Sequence, residues 1–168
     1  VFGSWWEGIM LTPLNNTTLK PTASPPTIYH LARRSNSSAI EAPYITYRNR
    51  YYYLFVNWDI CCAGVDSTYK VVVGRSTSIT GPYLDRNGVP MLYDTGGTLF
   101  VGTNSRWIGP GHAAITAVNG QEFFSYHIYD GLYDGWPTLR VNYLSWSDDF
   151  WPVLGDMLGA TPPELPQG

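Results

Sequence analysis

Residues 38–62 read SAIEAPYITYRNRYYYLFVNWDICC, and two β-rich runs around a short polar turn decide the fold. Tyr44, Ile45 and Tyr47 belong to the first run, Arg48, Asn49 and Arg50 to the turn, and Tyr51 to Val56 to the return. That pattern predicts a β-hairpin. One carboxylate is oddly placed: Glu41 stands just before Ala42 and Pro43, at the mouth of the apolar run. At the end of a buried strand, with few lysines nearby, such a side chain favours its protonated form and can serve as a proton donor. The same residues also permit a solvated glutamate at a strand end.

Working outward, the hairpin has a counterpart. Ala113 to Val118, a turn at Asn119 and Gly120, and Glu122 to Tyr129 form a second hairpin, followed by a strand from Thr138 to Trp146. Ile45 and Thr46 fall on Ile115 and Thr116, Asn49 on Asn119 and Val71 on Val141, all at an offset of 70, while Asp59 falls on Asp130 after one inserted residue. Short strands repeating at this period predict propeller blades. Between the hairpins, Val71, Val72 and Val73 read as a buried strand, and DRNG at 85–88 and DTGG at 94–97 read as tight turns. Residues 12–30 hold four prolines among small polar residues and read as a long loop or an irregular outer strand.

At 168 residues the chain has room for one domain with a core. Aromatic residues make up 15% and charged residues 14%, so the polar surface is largely neutral and rich in flat rings, which suits sugars. A net charge of -3 without any basic run excludes a nucleic-acid partner. No apolar run is long enough to span a membrane. The opening VFGSWW reads as the tail of a strand, as in a processed or truncated piece, and sequons at Asn15, Asn16 and Asn36 fit a secreted, extracellular protein.

Several stretches carry a family resemblance. IEAPYI followed by YYYLFV resembles the general-acid segment of glycoside hydrolase family 43, in particular the endo-1,5-α-L-arabinanases. FGSWWEGI at 2–9, the cysteine pair at 61 and 62, STYKVVVGRSTSITGPYLDRNGVPM at 67–91 and WIGPGH at 107–112 resemble further family signatures in the family's order. The resemblance implies an all-β fold, the C-terminal blades, somewhat over two, of a five-bladed β-propeller. Residues 1–154 form the partial propeller, with 1–11 the end of one blade, 39–84 a whole blade and 107–154 the last; 155–168 form a C-terminal tail. It also implies an inverting glycosidase acting on α-1,5-linked L-arabinan or a related arabinose or xylose polysaccharide of plant cell walls, with Glu41 as general acid. The family's aspartate base and pKa-tuning aspartate lie N-terminal to the FGS motif and have no counterpart in this sequence. The lone chain is therefore expected to be nearly inactive, either as one fragment of a nicked arabinanase or as a non-catalytic, lectin-like glycan-binding module.

The remaining candidates come from their positions. Trp5, Trp6 and Trp58 are expected to bind substrate by stacking on sugar rings, with core packing as the plainer role. His112 resembles the family's channel histidine, which implies calcium or a similar ion held together with waters; a lone histidine is otherwise structural, since calcium takes roughly six to eight oxygens. Cys61 and Cys62, also placed at the sugar site, leave two readings. Adjacent Cα atoms lie about 3.8 Å apart, below the usual span of about 4.4–6.8 Å, so either two thiols or a vicinal disulfide is open. Asp59, Asp66, Asp85, Asp130 and Asp134 are nominated as a second carboxylate, though none sits in a segment resembling the family's base.

A partial propeller exposes strand edges and apolar blade faces. Copies of the chain are thus expected to associate as a homo-oligomer, or a missing N-terminal fragment to complete the ring. Sedimentation of the pure chain should give a mass above that of one polypeptide; a stable lone monomer would overturn this.

Overall fold

The computed structural model describes residues 1–35 and 39–159. Its strands are β1 (Ile9–Leu11), β2 (Tyr29–Ala32), β3 (Ile40–Arg48), β4 (Tyr51–Trp58), β5 (Lys70–Ser76), β6 (Thr98–Val101), β7 (Trp107–Val118), β8 (Gln121–Asp130), β9 (Trp136–Trp146) and β10 (Pro152–Met157). They form two four-stranded antiparallel meanders, β3-β4-β5-β6 and β7-β8-β9-β10, and a two-stranded sheet, β1-β2. These are two complete blades and part of a third, so the fold is somewhat over two blades of the five-bladed propeller expected.

Both hairpins turn as their residues require. A two-residue loop matching the strand twist needs positive φ at both positions. Asn49 and Arg50 have φ of 50° and 70°, and Asn119 and Gly120 have 50° and 82°. The 70-residue repeat also extends to a feature with no signal of its own. Ala42 (φ 50°) and His112 (φ 61°) are equivalent positions, and each marks a shift in strand register, between Glu41 and Tyr44 and between Gly111 and Ala114. Such bulges re-aim the side chains beside them.

Strand β4 is buried from Tyr53 through Asn57 because both of its faces are covered. Tyr53 and Phe55 pack with Phe124, Ile128 and Leu144 of the next blade. Leu54 and Val56 pack toward Ile9, Leu31 and Tyr83. A strand buried on both sides carries no polar alternation, which is why YYYLFV reads as one apolar run.

Three boundaries differ from expectation. The first partial blade does not stop at Leu11 but includes Tyr29–Ala32, since β1 needs a partner and finds it across the proline-rich loop. The central blade continues past residue 84 to Val101, because β5 hydrogen-bonds a four-residue outer strand that comes after the DTGG turn. The last blade extends to Met157, where β10 pairs with Asn142. Asn36 and residues 160–168 of the expected tail lie outside the described residues.

The blades are tied together by Asn57, fully buried within β4. Its amide nitrogen donates to the Lys70 carbonyl (3.1 Å) and to the Pro110 carbonyl of β7 (3.2 Å), and its oxygen accepts from the His112 amide (2.8 Å). Replacing Asn57 with Leu leaves these three groups without partners. The variant is expected to lose about 2–4 kcal/mol of stability, read from its urea unfolding midpoint.

Candidate active site

The bulge at Ala42 comes directly after Glu41, which stands opposite Asn57 near the end of β4. Its carboxylate accepts two hydrogen bonds from distant segments. Trp5 Nε1 donates to Oε2 at 3.1 Å, and the Tyr69 hydroxyl donates to Oε1 at 2.7 Å. Tyr69 is buried, and burial together with the neighbouring Glu41 carboxyl pushes its phenol far above the ordinary range, so it remains a donor. Neither partner carries a charge.

Local sequence explains how each donor arrives. Trp5 opens a 3-10 turn, Trp5–Glu7, closed by the Gly8 amide donating to the Trp5 carbonyl at 2.8 Å. Gly8 has φ 77°, and a Cβ there would lie 2.3 Å from the Ala32 carbonyl oxygen, so only glycine lets the turn sit against β2. Tyr69 reaches Glu41 by crossing Gly111, where a Cβ would come within 2.2 Å of its ring. The glycines of FGSWWEGI and WIGPGH thus make room for the two donors.

Trp6 is 82% exposed and its ring centroid lies 6.3 Å from that of Trp5, placing an open aromatic face beside the Glu41 partner. Trp58 is held differently. It pairs with Ile40 rather than Glu41, packs against the core around Leu54 and Val56, and has the Arg34 guanidinium 4.5 Å above its ring. Cys61 and Cys62 form a vicinal disulfide with Cα atoms 3.8 Å apart. Cys62 (φ 64°) donates its amide to the Tyr129 hydroxyl at 2.9 Å, which docks the loop between β4 and β5 on the neighbouring blade.

Three of the nominated aspartates, Asp59, Asp85 and Asp130, are engaged by other groups. Burial raises Asp59, but hydrogen bonds from Lys70 and Arg34 outweigh it and hold the carboxyl below its usual range; the nitrogens lie 2.7 and 2.6 Å away. Asp130 receives Arg106 Nε at 2.6 Å and is lowered chiefly by that guanidinium. Asp85 is buried and accepts the amides of Asn87 and Val89 at 2.8 Å each. Asp66 closes the 3-10 turn Gly64–Asp66, and Asp134 sits in the left-handed region after Gly131–Tyr133. His112 is exposed, and no cluster of three or more His, Cys, Asp or Glu side chains able to hold a metal occurs among the described residues. His112 offers one ligand, and these residues do not by themselves fit a calcium site.

Asn57 and Tyr69 escaped the sequence reading. An asparagine inside an apolar run was the available signal for the first; the second, one more tyrosine at the start of a valine strand, gave none.

The fold is that of a β-propeller, and its central blade presents a carboxyl group at the start of the first strand, held by neutral donors beside an open tryptophan. The chain belongs to the glycosyl hydrolases family 43, whose model matches residues 1–152. It is 51% identical over 152 residues to the extracellular endo-α-(1→5)-L-arabinanase 1 of Bacillus subtilis, covering 90% of this chain and 45% of that protein. The structure resembles the Cellvibrio cellulosa α-L-arabinanase complexed with arabinohexaose (TM-score 0.83, 37% identity, 91% of this chain and 51% of that one). It also resembles an exo-1,5-α-L-arabinanase from a bovine ruminal metagenomic library (TM-score 0.86, 39% identity, 92% and 51%). The chain spans about half the length of the curated relatives it matches.

One titration is built into the site's surroundings. Burial, with a smaller push from His112, lowers the His127 pKa, and its ring lies 5.8 Å from that of Tyr69 in a stacked arrangement. The unfolded chain therefore binds a proton more readily than the folded one, and stability falls as pH drops below about 6.5. Denaturant midpoints measured between pH 8 and 5 should show this slope, and His127→Gln should flatten it.

Proposed function

We propose that Glu41 is the general acid of an arabinan-cleaving glycosidase, acting on α-1,5-linked L-arabinan or a related arabinose or xylose polysaccharide. The observation that carries this reading is the pair of neutral hydrogen bonds from Trp5 and Tyr69 to a carboxyl group at the bulge of a blade's first strand. The proton passes from Glu41 to the glycosidic oxygen as the leaving sugar departs. Both donors then face the carboxylate that remains, and hydrogen bonds to an ionised oxygen are the stronger kind. Trp6 and Trp5 offer ring faces for the sugar, and the Cys61–Cys62 loop borders the same end of the blade.

Inversion also needs a second carboxylate roughly 6.5–9.5 Å from the acid to activate water on the opposite face of the sugar. Asp59, Asp85 and Asp130 are engaged by other groups. The base is therefore proposed to come from another polypeptide segment completing the ring or from a second copy. The face of the last blade carrying Phe123, Leu139, Tyr143 and Val153 is the surface proposed to receive that partner; its Phe123 and Tyr143 rings pair at 5.3 Å, and Leu139 is widely exposed. Secretion is proposed as well, since the relatives are named extracellular and a vicinal disulfide suits an oxidising compartment.

General-acid action contributes about 10²–10⁴-fold. In a complex that supplies the remaining blades, Glu41→Gln should lower cleavage of linear 1,5-arabinan by that factor, measured from reducing ends, while sugar binding persists. Binding without cleavage in either form would instead support the lectin-like reading. The 168-residue chain alone should cleave debranched arabinan negligibly, and robust turnover would show that one of its own aspartates acts as base.

A further inference from the structure

The loops at the Glu41 end of the two blades form one continuous surface. Glu41 pairs with Asn57 close to the end of β4, so the β4–β5 connection lies at that end. In the next blade Gly111 pairs with His127 close to the end of β8, so the β8–β9 connection lies there too. The two touch: a Cβ on Gly135 would come within 2.6 Å of the Val65 amide nitrogen. Beyond that contact, Leu132, Tyr133 and Trp136 are 59%, 50% and 69% exposed. Asp130, Tyr133, Trp136 and Thr138 line a shallow cavity of about 430 Å³.

This connection is held firmly in place. Asp130 accepts the Leu132 amide at 3.0 Å through its side chain and the Gly135 amide at 2.9 Å through its carbonyl. The Arg106 guanidinium, fixed by Asp130, lies 5.6 Å over the Tyr133 ring. Aromatic rings exposed on a pre-ordered loop bind without the cost of ordering it. Even with Val65 at the contact, which is also exposed, these four apolar side chains fall short of the roughly 1,000 Å² that a stable protein interface needs. Two flat rings with a phenol, an indole N–H and the Thr138 hydroxyl at their edges match a sugar instead.

We propose that Tyr133 and Trp136 form a distal stacking shelf for the continuation of an α-1,5-linked arabinofuranosyl chain whose scissile unit lies at Glu41. The shelf rests on the arabinan reading of that site. It lengthens the binding surface from one blade to two and favours polymer over short oligosaccharide.

The test uses the full 168-residue chain carrying Glu41→Gln, titrated calorimetrically with linear arabinotriose and arabino-octaose. Trp136→Ala should weaken the octaose about five- to tenfold and the triose less than twofold, with Trp136→Phe restoring most of the loss. An unchanged thermal midpoint confirms that the exposed substitution leaves the fold intact. Equal affinities for the octaose before and after substitution would overturn the shelf alone, as would equal weakening of both sugars. If neither sugar binds even before Trp136 is changed, the shelf is overturned, whereas the arabinan reading stands or falls separately on cleavage by the complex that supplies the remaining blades. Reduced self-association in sedimentation with unchanged sugar affinity would assign the patch to a second copy and overturn the sugar shelf.

Discussion

An amide buried in the middle of an apolar strand has to find partners, and the partners Asn57 finds set the geometry around it. One lies at the start of β5, two at the bulge of the next blade's first strand. An unpaired group in that position would cost about 1–3 kcal/mol, so the two blades are held where all three bonds close. That placement brings Gly111 beneath Tyr69, and the absence of a side chain there lets the phenol reach Glu41. The Glu41 site is thus a consequence of how two blades dock, not of one hairpin.

Charge is distributed in keeping with this arrangement. The chain has few ionisable groups, and the carboxylates next to the docking surface are neutralised locally: Asp59 by Arg34 and Lys70, Asp130 by Arg106. Among the described residues, Glu41 is met by an indole N–H and a phenol. Asp59 and Asp130 are committed to ion pairs whereas Glu41 is met by neutral donors, and this separates the candidate site residue from those that tie the fold together.

The disulfide shows how one covalent constraint can serve the same end. The bridge between Cys61 and Cys62 fixes a short loop whose amide rests on Tyr129 of the next blade. The loop's glycine lies against Gly135, so the β4–β5 and β8–β9 connections form one continuous rim beside the Glu41 strand.

Alternation, turn chemistry and the 70-residue period are local properties of the chain, and the sequence by itself determined the features that arise from them. Both hairpins, their turns at Asn49 and Asn119, the blade repeat and the place of Glu41 at the start of a strand were all legible. The motifs also carried the family. The short strands β2 and β6 were not legible, because four residues hold too little pattern and owe their pairing to neighbours across a loop. The partners of Glu41 were hidden for the same reason: Trp5 and Tyr69 lie 36 and 28 residues away. Whether Cys61 and Cys62 join, whether Trp58 faces sugar or core, and whether Asp130 is free or held by Arg106 were likewise decided only by the tertiary structure. Each depends on which backbone crosses which, and hydrogen bonds between distant segments form only after the blades have packed.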